Sequence, residues 1–309
     1  MMQPSTYPTT SARPYELGTR SLVVSADDFG FTPAINRGVI DAFERGVVTA
    51  VSMMVDQPGW RDAVRYAREA GAELDVGLHL NLSVGKPCTR ARSLTDARAG
   101  AYLPIATLVA RACARRVRAE EAFTECMAQA NRLREAGLTV THIDGHRHLH
   151  LLPGIWEGVV AAADALGGLP VRIPRDRATS DHVTRRDVKR ILLDAVAGRA
   201  LRRAAPPYPP LHFVGAALHG DDRYRGRLRA LVGALPAGTS ELMTHPGFRS
   251  GTLPGGDGYD APRERELRVL VAPELRDWLD EAGVTLCNFR TISTREHRGL
   301  EWVNTDSRA

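Results

Sequence analysis

SLVVSADDFGFTPAINRGVIDAFERG, residues 21–46, opens with a β-branched run and closes with a helical pattern, and its reading decides the fold. SLVVSA has the composition of a buried strand. TPAINRGVIDAFERG then offers Thr32 as N-cap, Pro33 at the first helical position and Gly46 beyond the last turn. The unit is therefore a strand, a short turn carrying Asp27 and Asp28, and a capped helix.

The same alternation continues. Strand TAVSMMV, helix GWRDAVRYAREAG and strand LDVGLHL follow, then a turn-rich loop from about Ser83 to Pro104 and two helical stretches over 105–137. Strand TVTHID, a helix from Pro153, strand PVRIP, a helix from Thr184, strand LHFVGAAL and a helix from Arg223 come next. SELMTH, a helix around 262–282 and VTLCNF complete about eight strands. Strands separated by helices of this length imply parallel βαβ units. The pattern predicts a closed or partly open α/β (β/α) barrel, since neither GxGxxG nor a Walker A sequence supports a nucleotide-binding sheet. One catalytic domain is expected over 19–294, with a flexible leader over 1–18 and a tail over 295–309.

In such barrels the active site lies at the C-terminal ends of the strands. Four predicted strand ends there carry polar side chains: Asp27-Asp28, His79, the run THIDGHRHLH (141–150) and His245 in THPG. Two of them have a plain alternative, a helix-starting turn for Asp-Asp-x-Gly and a core histidine for His79. Their coincidence points to a metal site. In THIDGHRHLH the polar residues His142, Asp144, His146, His148 and His150 alternate, so an extended segment could turn all five toward one site. An aspartate and two histidines with open positions left over make a catalytic metal set. Such an ion polarises a carbonyl and activates water. Paired carboxylates can divide labour, one holding the ion and one taking a proton.

Composition narrows the partners. The chain has 309 residues, 43% apolar and 25% charged, which is ordinary for a globular protein. Its net charge of +5 is carried mostly by arginines interleaved with acidic residues, the pattern of solvated helices rather than of a nucleic-acid surface. The densest basic run, Arg111 to Arg118, reads as a surface helix. Cys88, Cys113, Cys126 and Cys287 fall in no metal or redox spacing, and neither a signal sequence nor an apolar span is present, so a cytoplasmic location with no membrane partner is expected.

The pieces SADDFG…NRGVIDAFERGVVTAVSMM, VGLHLNLSVGKP, THIDGHRHLHLLPG, ELMTHPG and GYDAPREREL together resemble the YdjC-like (ChbG-type) carbohydrate deacetylase family, in its order, over about residues 21–290. The resemblance implies a distorted (β/α) barrel related to polysaccharide deacetylases, one divalent ion and removal of acetyl groups from N-acetylated sugars. It also implies Asp28, His79 and His146 as metal ligands, Asp27 as general base toward water and His245 as general acid for the leaving amine. Arg172 resembles the arginine that orients the base in the wider deacetylase group, and equally suits a structural ion pair. Asp144, His148 and His150 are left to orient ligands or contact substrate, with His148 the rival ligand, and His142 to a structural role.

Mixed N and O donors fit zinc, manganese or cobalt on ligand preference, while the family resemblance also allows magnesium. The expected partner is a small acetylated sugar or amino-sugar-bearing metabolite, and the family's habit implies a homodimer. The proline-rich stretch over 205–210 and the glycine-rich loop from Ser250 to Tyr259 are expected to rim the cleft. A metal-dependent phosphoesterase and a sugar-binding protein with a vestigial metal site are the competing readings.

Overall fold

The computed structural model describes residues 19–176 and 185–296; the predicted leader, most of the predicted tail and the expected helix start at Thr184 lie outside them. The strands are β1 (Arg20–Phe29), β2 (Ala50–Met53), β3 (Asp75–Leu80), β4 (Thr95–Asp96), β5 (Ala101–Tyr102), β6 (Val140–Gly145), β7 (His212–Val214), β8 (Gly238–Thr244) and β9 (Val284–Leu286). The helices are α1 (Pro33–Glu44), α2 (Trp60–Ala70), α3 (Ile105–Cys113), α4 (Ala119–Glu135), α5 (Ile155–Ala165), α6 (Arg185–Leu201), α7 (Tyr224–Gly233), α8 (Ala261–Leu270), α9 (Glu274–Glu281) and α10 (Phe289–Glu296).

Seven strands form one parallel, curled sheet in the order β6-β3-β2-β1-β8-β7. β9 pairs with Arg20–Leu22 while β2 pairs with the later part of β1, so β9 lies below β2 along the same edge of β1. β4 and β5 make a small antiparallel hairpin within the long loop before α3. Among the described residues no ladder joins β7 to β6, and the barrel stays open as a half-barrel.

The basic run Arg111 to Arg118 is the end of α3 and the turn before α4 rather than one helix, and three further expected elements change. PVRIP is a single bridge between Val171 and Ile143 rather than a strand. Pro170 and Pro174 lack N–H groups, so the ladder reduces to Ile143 N–H on the Pro170 carbonyl and Arg172 N–H on the Ile143 carbonyl. LHFVGAAL ends as a strand at Val214, where Gly215 turns left-handed at φ 111° into a short 3-10 turn. The helix expected over 262–282 is two helices separated at Val271–Pro273.

The start of the fold forms as its sequence dictates. The Thr32 hydroxyl accepts the Ile35 N–H, Pro33 opens α1, and Ile35, Val39, Ala42 and Phe43 bury one helical stripe. Along β1, Leu22, Val24 and Ala26 join the core under the helices, while Val23, Ser25 and Asp27 alternate into the barrel. The interior is therefore layered. Val23, Ala50, Tyr208, Phe289 and Ile292 close its lower end with apolar side chains, and polar groups occupy the levels above. The proline-rich stretch accordingly contributes Tyr208 to that lower plug and Pro210 to a separate cavity, and does not rim the cleft. Among the described residues no helix is long and apolar enough to cross a membrane.

Candidate active site

Asp27 ends the inward row of β1, and a regular strand would turn its neighbour outward. Asp28 instead takes a left-handed conformation, φ 65°, at an irregularity in the β1–β2 register. Both carboxylates therefore face the same cavity, of about 450 Å³, at the C-terminal ends of the strands.

There the sequence-predicted cluster assembles. Ligand atoms of Asp28, His79 and His146 all lie within 4.8 Å of one another, and all three residues are buried. His79 Nε2 is 3.2 Å and His146 Nδ1 3.0 Å from Asp28 Oδ1. Each imidazole meets a second carboxylate on its other nitrogen: His79 Nδ1 is 2.7 Å from Asp144 Oδ1, and His146 Nε2 is 3.4 Å from Asp257 Oδ2. Arrangements of this kind fix tautomer and ring orientation in metal sites. Burial lowers the His79 pKa, but Asp144 and Asp28 outweigh it and push it up to about 10. Burial likewise raises Asp28, yet Arg263 and His146 hold it well below the usual carboxylate range.

Arg172 stands at the centre of a second cluster. Its guanidinium donates to both oxygens of Asp27 (2.6 and 2.8 Å) and to Glu241 (2.6 Å), and lies 2.7 Å from Asp144. Burial raises the Asp27 pKa against the opposing pull of Arg172. The result is a pinned carboxylate of more than ordinary basicity. His245 stands opposite, with Nε2 3.8 Å from Asp27 Oδ2. Burial, then His219, hold the His245 pKa well below its usual value. Its backbone N–H donates to Glu266 (2.7 Å), which also accepts from the Tyr259 hydroxyl. The Thr-His-Pro-Gly turn can seat against α1 because Gly38 has no side chain; a Cβ there would fall 2.4 Å from Gly247 Cα.

The alternation of THIDGHRHLH holds only as far as the strand does. His142 and Asp144 point into the barrel from β6, but left-handed Arg147 (φ 57°) and His148 (φ 56°) fold the following residues into a tight turn. His148 lines the cavity without joining the Asp28 cluster; its Nδ1 is buried without a hydrogen-bond partner and its ring meets Phe213 edge-on. His150 does not line the cavity. Its Nε2–H donates to the Arg172 carbonyl at 3.0 Å, so it anchors the backbone that carries the guanidinium. His142 lies deeper, stacked on Phe289 at 3.8 Å.

Several participants escape sequence reasoning. Asp257, Tyr259 and Arg263 line the cavity from the glycine-rich loop and the start of α8, and His219 stacks on Tyr259 at 3.8 Å. Asp257 also accepts from Arg147 at 3.0 Å, which ties that loop to the His146 turn. The available signals were the expectation that the loop ending at Tyr259 borders the cleft and the family-like motif GYDAPREREL, which contains Tyr259, Arg263 and Glu266 without assigning them roles. Nothing in the charged pattern of α8 marked Arg263 or Glu266 as buried.

Comparison with known proteins identifies the family. A family model described as YdjC-like protein matches residues 21–281. A mouse (Mus musculus) protein named carbohydrate deacetylase is 36% identical, covering 89% of this chain and 95% of its own length. One of the same name from Brevibacillus brevis is 32% identical, covering 88% and 99%. A solved Enterococcus faecalis structure, named for cellobiose-phosphate cleavage, shares the fold with a TM-score of 0.67 at 24% identity, over 89% of this chain and 99% of that one. With its motifs in order and its fold shared, the chain belongs to the YdjC-like family.

Proposed function

We propose that this protein is a metal-dependent carbohydrate deacetylase that hydrolyses the acetamido group of an N-acetylated sugar to acetate and a free amine. The observation that carries the reading is the convergence of Asp28, His79 and His146 beside Asp27 and His245 in one cavity. Relatives named carbohydrate deacetylase support the substrate class.

The donor set fits a divalent cation. Two imidazole nitrogens and a carboxylate oxygen, all buried and converging, suit zinc or manganese better than magnesium. Asp28, His79 and His146 would hold the ion, which when bound supplies Lewis-acid polarisation of the acetyl carbonyl and a more acidic water. The protein's own groups account for the proton movements. Asp27, pinned by the Arg172 fork, accepts a proton as the water oxygen bonds to the acetyl carbon. His245, 3.8 Å away, relays that proton to the amine nitrogen as the C–N bond breaks. Leu193, Ala216 and Met243 provide an apolar stretch of cavity wall for the acetyl methyl and sugar ring.

A two-metal phosphoesterase is less consistent with the geometry. The second acidic group, Asp27, His79 and Asp144, shares His79 with the first, and its carboxylates are already joined through the Arg172 guanidinium.

Acetate release from a panel of N-acetylglucosamine, its oligomers and other acetamido glycosides tests the proposal. Metal-loaded protein is expected to release acetate, chelator to abolish it and added zinc or manganese to restore it. Metal-loaded protein that releases no acetate from the whole panel overturns the deacetylase reading.

A further inference from the structure

His142 and Ser52 have no place in the mechanism above, yet both are buried inside the barrel and hydrogen-bonded in series beneath the His79 cluster. We infer that Ser52 and His142 are positioning residues: acting through Asp144, they fix the His79 ring so that Nε2 faces Asp28 and His146. The inference rests on the reading of Asp28, His79 and His146 as metal ligands.

Counting protons gives the chain its direction. Asp144 is surrounded by groups that donate: Arg172 Nη1 and Ser52 Oγ, each 2.7 Å from Oδ2, and His79 Nδ1, 2.7 Å from Oδ1. A carboxylate in that setting accepts at both oxygens, so His79 holds a proton on Nδ1, and Nε2, 3.2 Å from Asp28 Oδ1, is the nitrogen that would release its proton to bind an ion. Ser52 has one proton and spends it on Asp144. Its oxygen can then accept from His142 Nε2, 3.1 Å away, with Ser25 Oγ a second neighbour at 3.4 Å. The other His142 nitrogen lies 3.0 Å from the Thr141 hydroxyl, which also reaches the Val76 carbonyl at 3.3 Å. Ser52 and His79 thus converge on Asp144 from its two oxygens.

The surrounding sequence makes room for this arrangement. The His142 ring lies against Gly77 of β3, where a Cβ would come within 2.3 Å of the imidazole, and Phe289 stacks on its other side with 19° between planes. Ser52 and His142 are 0% and 1% exposed, so their partners are protein groups rather than bulk water. Removing the Ser52 hydroxyl leaves His142 Nε2–H without its partner and frees Asp144 to rotate about the Arg172 contact. His79 then loses the fixed carboxylate that sets its orientation.

Zinc titration calorimetry on metal-stripped full-length protein reads this directly, without depending on turnover. Partners of ligating histidines are worth about 10–100-fold in affinity, and Ser52 acts one bond further out. Ser52→Ala is expected to weaken zinc binding about tenfold, at the low end of that range. Because Ser52 works through Asp144, Ser52→Ala/Asp144→Asn should bind no more weakly than Asp144→Asn alone. His142→Phe, which keeps the stacked ring and removes both nitrogens, should weaken binding in the same direction, and it decides the question if Ser52→Ala does not fold. Affinity within about twofold of wild type in the folded variant, or losses that add in the double variant, overturn the inference. A wild-type protein that binds no zinc, manganese or magnesium overturns the metal reading itself, and this inference with it.

Discussion

Replacing Arg172 by methionine removes the guanidinium that Asp27, Asp144 and Glu241 share. Each charge-assisted hydrogen bond to a buried group is worth about 1.5–3 kcal/mol. The contacts converge on one guanidinium and are not additive, so the expected loss is that of breaking one buried ion pair, about 3–5 kcal/mol. Against a total stability of about 5–15 kcal/mol for a folded domain, that is a large fraction. The pH dependence has a definite sign. Burial already pushes Glu241 up to about 7 against the pull of Arg172, and raises Asp27 in the same way. Without the guanidinium both rise further, so the folded variant holds protons that its unfolded chain has released, and it gains stability as pH falls. Urea unfolding at pH 8 and pH 5.5 should show the larger deficit at pH 8, and acetate release should collapse because Asp27 is no longer held. A deficit below about 1 kcal/mol at pH 8, the scale of an exposed ion pair, with activity retained would refute the reasoning. So would a deficit that grows on acidification.

Three further outcomes are expected. Asp27→Asn should lower kcat for acetate release by about 10²–10⁴-fold, the usual worth of a general base, while zinc titration stays near wild type; lost zinc binding would instead make Asp27 a ligand. Gly38→Ala should cost about 1–3 kcal/mol by urea midpoint and reduce activity, since its Cβ would displace the turn that carries His245, whereas wild-type values for both would show that α1 can shift freely. Burial pushes Glu266 up to about 7 against the Tyr259 and His245 hydrogen bonds. A carboxylate raised in the folded state makes stability fall as pH climbs from its ordinary value of 4.5 to about 7. Glu266→Gln should therefore flatten the stability profile across that window, and an unchanged slope would place the titration elsewhere.

The strand-turn-helix units were legible because alternation and capping are local. Thr32, Pro33 and the apolar stripe of α1 specify their own geometry, and β1, β2, β3, β6 and β8 follow from runs of apolar residues. PVRIP misled because a β-branched pair between prolines has strand composition without strand hydrogen bonds. In the site, Asp28, His79 and His146 could be matched by motif, but strict alternation accounts for none of the turn after Gly145. Two consecutive left-handed residues there send His148 to the cavity wall and His150 toward the Arg172 backbone. Histidine is enriched in that conformation but arginine is not, so residue type alone does not announce two left-handed residues in succession.

Arg263 shows why the remaining participants were hidden. In APRERELRVL it is one charge among several at helical spacing, which reads as a solvated face. Yet α8 packs against α1 and brings its first turn over the open end of the barrel. Its inward stripe is then Arg263, Glu266, Leu267 and Leu270, two charged residues followed by two apolar ones. The apolar pair joins the core, while Arg263 reaches Asp28 and Glu266 holds the His245 backbone. Those charges can stay buried because the barrel mouth already supplies their partners. Their partners come from β1 and from the turn after β8, up to 235 residues away in sequence. Which arginine of the helix is inward is therefore a property of the assembled sheet, and it could be read only after β1 and β8 had been placed side by side.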